Sequence, residues 1–329
     1  MKTVRFHSTG SPDVLTFEDV PDPVPGRGEV LIRVEAVGLN FADVLRRRGD
    51  PYPEPSPLPF TLGGEVAGTI AALGEGLTEP AIGTLVYAAC RTGGYAQYVV
   101  VPVATIVPIP SGLTAAQATA LVIQGLTAAF TLRDAGRLVK GETVLIEAAA
   151  GGVGSFAVQL ARLFGAGRVI AAASTPEKRA LAISLGADDA IDYTDAEWPD
   201  RVRDMTDGRG VDIVLEMTGG ATLTRALDTL APFGRMVVYG LASAETILID
   251  PQRLTGPNQS VTGFYVGAYF KEPERVQAML AEIVGYVTTG QLKLQIGATL
   301  PLSRAADAHR LLEGRTSTGK VVLEPWADA

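Results

Sequence analysis

The run Glu142-Thr-Val-Leu-Ile-Glu-Ala-Ala-Ala-Gly-Gly-Val-Gly154 constrains this chain more than any other stretch. Thr143 to Ala148 is a short apolar segment with β-branched residues, whereas Val153, Phe156, Ala157, Leu160, Ala161 and Phe164 recur at helical spacing. The first half predicts a buried strand and the second an amphipathic helix. Between them Gly151, Gly152 and Gly154 allow a sharp turn that brings backbone close to a ligand, with free amides and the positive end of the helix dipole facing outward. That arrangement seats a phosphate. The spacing is Ala148-x-x-Gly151-x-x-Gly154 rather than Gly-x-Gly-x-x-Gly, so a glycine-rich turn without a ligand stays open as the alternative at this point.

The rest of the chain sorts into two patterns. From Met1 to about Val107, short strands at Val4-Arg-Phe, Glu29 to Val37, Gly64 to Leu73 and Gln97 to Val101 are separated by Asp22-Pro-Val-Pro-Gly26 and the proline-rich run Pro51 to Pro59, which predicts a β-barrel or sandwich. Within it, Phe41 to Arg48 reads as a helix introduced by Asn40, a good N-cap residue. From Thr114 the period changes. Ala115 to Leu132 and Pro176 to Leu185 read as helices, and strands are expected at Thr143 to Ala148, Arg168 to Ala173, Ala187 to Tyr193, Val211 to Glu216, Arg235 to Gly240 and Ser260 to Tyr265. Six strands alternating with helices predict a doubly wound parallel sheet with its ligand at the carboxyl ends of the strands. Helices at Pro273 to Thr288 and Arg304 to Leu312 follow, and the terminal strand Gly319 to Glu324 is expected to return to the N-terminal domain.

Composition narrows the function. With 47% hydrophobic residues, 329 positions supply cores for two domains. A net charge of -8 gives no basic footprint, so neither nucleic acid nor an anionic membrane is an expected partner. The N-terminus lacks the apolar core of a signal peptide, and no uninterrupted apolar run approaches the roughly 18 residues of a membrane span; this places the protein in the cytoplasm. One cysteine, Cys90, excludes an internal disulfide, and the histidines His7 and His309 form no ligand-spaced cluster, so a catalytic zinc is not expected.

In a dinucleotide fold, an acid at the end of the second strand accepts from a ribose 2'-OH and repels a 2'-phosphate. Here the strand ends Ala171-Ala-Ala-Ser-Thr175 without one, Pro176 opens the next helix and Lys178 lies in its first turn. A cation there opposes the helix dipole, so Ser174, Thr175 and Lys178 together point to NADPH. A solvated helix face carrying Lys178 and Arg179 is the alternative. Tyr193, after the third strand, lies either over the adenosine end or in ordinary packing.

The Ala-Ala-Ala-Gly-Gly-Val-Gly turn, Gly38-Leu-Asn-Phe-Ala-Asp43, Gly63-Gly-Glu-Val-Ala-Gly68, Gln124-Gly-Leu-Thr-Ala128 and Arg315-Thr-Ser-Thr-Gly-Lys-Val-Val-Leu323 together resemble the medium-chain dehydrogenase/reductase superfamily, in its zinc-free quinone oxidoreductase (zeta-crystallin-like) branch. The resemblance covers essentially the whole chain. It implies a GroES-like domain over 1–122 completed by 268–329, a Rossmann domain over 123–267, NADPH as cofactor, and a homodimer formed partly through the edge strand near Ser260. Zinc-dependent relatives carry Cys at position 40 and His at position 64, where this chain has Asn40 and Gly64.

By the same resemblance, Ala150, Gly151, Gly152 and Val153 hold the pyrophosphate. Asn40 and Thr127 fix the nicotinamide, although Asn40 as a plain helix cap and Thr127 as a helix residue bonding its own backbone stay open. Thr218, Tyr239, Gly240, Phe264 and Tyr265 fall at strand ends near the cofactor, and Lys320 is a further contact. Tyr52 is the first candidate to donate to the substrate oxygen, with packing as its other reading. Leu45 stands where many relatives have a tyrosine, which makes the substrate region more apolar. The expected reaction is hydride transfer from NADPH to a quinone. An enoyl or alkenal reductase acting on an enone is the alternative within enzymology, and a non-catalytic, crystallin-like or RNA-associated NADPH-binding protein is the alternative outside it.

Overall fold

The structure is a computed structural model that describes residues 1–327. The chain divides into two compact units, Met1–Ile123 with the segment from Gln295 onward, and Gln124–Leu294. The first boundary falls one residue from the expected one. Residues 268–294, assigned above to the GroES-like domain, group instead with the second unit, where Arg133 pairs with Glu282 of the helix Pro273–Thr288 at 2.5 Å.

The second unit is built on six parallel strands: β1 (Thr143–Glu147), β2 (Arg168–Ala172), β3 (Asp189–Ile191), β4 (Val211–Glu216), β5 (Leu230–Val238) and β6 (Ser260–Gly263). Their order in the sheet is β3-β2-β1-β4-β5-β6. The order reverses between β1 and β4, which is where a doubly wound sheet opens its ligand crevice. Every residue of β4 is buried, as a parallel strand covered on both faces requires. The helix Gly152–Leu163 buries all residues from Gly154 to Ala161, so it is a core helix rather than the amphipathic one its apolar spacing predicted.

The predicted helix Ala115 to Leu132 is interrupted. Ala115–Ala118 and Leu126–Phe130 are α-helical, while Leu121–Gly125 and Thr131–Ala135 wind as π-turns. Such widened turns re-aim side chains and concentrate at functional positions. Although Ala115–Ala135 has the length and hydropathy of a membrane span, 78% of its most apolar window is buried inside the protein.

In the first unit, Lys2–Phe6 pairs with Leu15–Asp19 and Phe60–Thr61. A seven-stranded sheet centres on Glu29–Gly38, which pairs with Glu65–Leu73, Tyr98–Pro102 and the terminal strand Lys320–Glu324. The expected return of that strand is therefore observed. It also runs parallel to Ile296–Pro301, a strand the sequence pattern did not announce. Phe6, Ile32, Val34, Leu62 and Ile70 form part of the core here.

The glycine turn after β1 keeps the expected close approach of the backbone but places the sharp reversal ahead of the glycines, at Ala148. None of Gly151, Gly152 and Gly154 adopts positive φ; the left-handed residue is Ala148, at φ 47°. Its carbonyl accepts from the Gly151 amide at 2.8 Å. The glycines serve close approach instead: a Cβ at Gly154 would enter the Ala148 carbonyl, and one at Gly152 would enter the Gln124 carboxamide. Because a Cβ disfavours the left-handed conformation by about 1–2 kcal/mol, and glycine returns part of that through a more flexible unfolded chain, Ala148→Gly is expected to raise unfolding free energy by about 0.5–1 kcal/mol. Urea unfolding checks this; a destabilised variant would show that Ala148 is not strained.

Candidate active site

The helix Gly152–Leu163 begins without a side-chain cap, because its N-cap residue is Gly151. The first amides of a helix have no acceptor within it, so Gly152, Val153 and Gly154 present a row of donors at the end of β1. Ala150, just before them, is buried. Gln124, only 7% exposed, lies against Gly152, and its Oε1 has no hydrogen-bond partner. A buried amide oxygen left unmatched beside an uncapped helix start fits a ligand that carries both phosphate oxygens and hydrogen-bond donors.

At the end of β2, Thr175 caps the helix Pro176–Ser184, its Oγ1 accepting from the Lys178 amide at 3.3 Å. Ser174 and the Lys178 side chain are half-buried, and burial pushes the Lys178 ammonium below the usual lysine value. A bound anion reverses such a shift. Arg179 is not a solvated neighbour: it donates to the Ala173 carbonyl at 3.1 Å and pairs with Asp192 at 2.8 Å. Tyr193 packs against the core that contains Trp198 and Ile191.

The first unit carries a second polar cluster. Lys320 and Glu65 are both fully buried and ion-paired. Asn40 joins them, donating from Nδ2 to Glu65 Oε1 at 2.8 Å and accepting from Lys320 Nζ at 3.0 Å. Glu65 Oε2 accepts from the Ile123 amide at 2.8 Å. Gly38 leaves the space that Lys320 and Glu65 fill. The Asn40 amide donates to Asp43 Oδ2 at 2.9 Å, and burial raises the Asp43 carboxyl to about 6. Asn40 is thus both the start of the helix Phe41–Arg48 and part of a buried charge network. Tyr52 is half-buried in the proline-rich loop, with the Arg46 guanidinium 4.9 Å from its ring centre. Arg46 also donates to Ser56 Oγ and the Pro55 carbonyl, both at 2.9 Å, so a helix side chain pins the loop.

Residues 26–111 match the alcohol dehydrogenase GroES-like domain family and residues 152–285 the zinc-binding dehydrogenase family. A quinone oxidoreductase of Pseudomonas aeruginosa is 38% identical over 98% of this chain and 99% of its own length. The chain belongs to the medium-chain dehydrogenase/reductase superfamily, in its quinone oxidoreductase branch. It is an oxidoreductase. A 2-haloacrylate reductase from a Burkholderia species is 34% identical, covering 98% of each chain. The crystal structure of Escherichia coli quinone oxidoreductase complexed with NADPH superposes with a TM-score of 0.92 at 30% identity, over 99% of this chain and all of that one.

Of the remaining site candidates, Thr218, Tyr239, Gly240, Phe264 and Tyr265 follow the carboxyl ends of β4, β5 and the edge strand β6. Thr218 is buried and its amide donates to Glu216 Oε1 at 2.9 Å; the Gly219 amide donates to the same oxygen at 2.5 Å. Tyr239 and Gly240 follow β5, and Gly240 packs against Met217. Phe264 and Tyr265 follow β6, and Phe264 meets Tyr269, which stacks on Phe130 at 4.2 Å. Thr127, on the helix Leu126–Phe130, is 6% exposed.

Two residues here escaped the sequence reading. Glu147 and Glu216 end the adjacent strands β1 and β4 and are fully buried. Neither oxygen of Glu147, nor Oε2 of Glu216, has a hydrogen-bond partner. Burial first, and then the neighbouring Glu216 charge, raises Glu147 to about 8; burial also raises Glu216. Burial, Glu147 and Glu216 push the Tyr239 phenol up in turn. Two buried carboxyls on adjacent strands disfavour being ionised together. The visible signal was an acid closing each of two strands, Glu147 after Thr143-Val-Leu-Ile and Glu216 after Ile213-Val-Leu.

Glu147 keeps its proton in the fold up to about pH 8 but loses it near 4.5 when unfolded, so the protein is expected to lose stability as pH rises through that window, by at most about 1.4 kcal/mol per unit. Glu147→Gln should flatten the slope in chemical unfolding between pH 5 and 8; an unchanged slope would refute the raised Glu147 carboxyl. In the first unit, Lys320→Met leaves Glu65 buried without its cation and is expected to cost about 3 kcal/mol or more, with Glu65→Gln in the same chain restoring most of it. A neutral single variant would show that the pair is not a stabilising unit.

Proposed function

We propose that this protein is an NADPH-dependent quinone oxidoreductase that works without a metal. The observation that carries the reading is the uncapped amide row Gly152–Gly154 at the switch point of the sheet, joined to a second strand that ends in Ser174 and Thr175 with Lys178 instead of an acid. Gly151, Gly152 and Val153, with Ala150 behind them, would hold the pyrophosphate, and Ser174, Thr175 and Lys178 the 2'-phosphate. Asn40 and Gly64 stand where zinc-dependent relatives carry metal ligands, and they support the metal-free part of the proposal.

NADPH supplies the hydride when bound. The chain's own share is to orient the acceptor and to donate a hydrogen bond where negative charge develops on the acceptor oxygen. Tyr52 is assigned that donor role, and Asn40 and Thr127 fix the carboxamide. Thr218, Tyr239, Gly240, Phe264, Tyr265 and Tyr193 complete the proposed cofactor contacts, and Lys320 acts by holding Asn40. Quinone reduction asks little more, because the hydroquinone anion is stable and water completes its protonation. An activated alkene is the second reading of the same site, favoured by the likeness to the Burkholderia 2-haloacrylate reductase. A cytoplasmic homodimer belongs to the proposal as well, and sedimentation tests the dimer.

Steady-state NADPH oxidation with a 1,4-quinone and with an enone separates the two acceptors. Turnover of the quinone is expected; turnover of the enone alone, with a large loss in Tyr52→Phe, would replace it by the second reading. Lys178→Ala is expected to weaken NADPH binding about tenfold while leaving NADH unchanged. Equal affinity for both cofactors, unmoved by that substitution, would remove the 2'-phosphate pocket.

A further inference from the structure

Gln124 belongs to the widened turn Leu121–Gly125, so its side chain is aimed by a π-turn rather than by a regular helix. Its carboxamide occupies the space over Gly152 that any side chain at position 152 would need. It is 7% exposed, and Oε1 is buried without a partner. A buried amide oxygen left unsatisfied costs about 1–3 kcal/mol, and replacing Gln124 by an apolar residue of similar length would avoid that cost. The three uncapped amides beside it are all donors and would attract an anion, yet an anion alone offers Oε1 nothing to accept. The ligand that satisfies both halves of the carboxamide carries phosphate oxygens next to a hydroxyl or amide donor, as the nicotinamide half of a dinucleotide does.

We propose that Gln124 is a coenzyme-positioning residue, its Nε2 donating to the phosphate held by Gly152–Gly154 and its Oε1 accepting from a donor of the adjoining ribose or carboxamide. The inference rests on the dinucleotide reading above and adds a residue to it. A glutamate at 124 keeps the shape but sets a carboxylate against the phosphate; protonation restores a donor.

The test is equilibrium binding of NADPH to the full chain, followed by nucleotide fluorescence. Gln124→Ala is expected to raise Kd about tenfold. Gln124→Glu is expected to raise it about a hundredfold at pH 8 and to recover at least tenfold by pH 5, a pH dependence that a purely structural side chain would not produce. Binding of 2',5'-ADP, which lacks the nicotinamide half, should stay within twofold of wild type in both variants, and this also reports that they fold. NADPH affinity within twofold of wild type in both variants, an absent pH recovery, or an equal loss of 2',5'-ADP binding would each overturn the role of Gln124 while leaving the dinucleotide site standing. A wild-type chain that binds no NADPH would overturn both.

Discussion

At Ala148 the backbone turns left-handed in a residue that carries a Cβ, and its carbonyl closes the turn onto the Gly151 amide. This reversal decides where the central strand stops and where the helix Gly152–Leu163 points. With the helix directed back along the sheet, three amide donors face outward at the place where strand order reverses, and the neighbouring chain must approach without side chains in the way. Gly154 has to pass the Ala148 carbonyl and Gly152 has to pass Gln124. A family fingerprint that is often explained by glycine's conformational freedom is here explained by space.

The largest buried polar clusters of the two units are satisfied to different degrees. In the first unit the cluster around Glu65 is matched: Lys320 meets Glu65, Asn40 bonds both, and backbone amides of Asn40 and Ile123 satisfy the carboxylates, whereas Asp50 Oδ2 and Tyr87 Oη are buried without a hydrogen-bond partner. Even His309, held neutral by burial that pushes it down to about 3, accepts from Arg47 and contacts Tyr95 Oη at 3.0 Å. In the second unit three carboxyl oxygens of Glu147 and Glu216 and the oxygen of Gln124 are buried without partners. Matched burial rigidifies, whereas unmatched burial marks positions whose partners arrive with a proton or a ligand. Under the proposed function, a dinucleotide would bring both donors and acceptors to the strand ends of the second unit.

Much of this was legible from residues alone. Alternating apolar strands and helices announced the doubly wound sheet, the apolar run before the glycines announced β1, and the return of Lys320–Glu324 to the first unit followed from its position after the last helix. The strands Leu85–Ala89 and Ile296–Pro301 carry no clear signal of their own, because short segments of mixed character acquire strand identity from the partners they pair with. Apolar spacing reads 115–132 as one continuous helix because it does not distinguish a π-turn from an α-turn.

The sequence by itself determined the order of elements and the glycine-rich turn that opens the helix Gly152–Leu163, since periodicity and turn chemistry are local properties of the chain. Only the tertiary structure decided which polar groups are alone. Glu147 and Glu216 lie 69 positions apart yet end neighbouring strands, Gln124 reaches Gly152 through a widened turn, and residues 268–294 pack with the second unit. Whether a buried charge has a partner is a matter of distance in space, and residue order does not encode that distance until the sheet has formed.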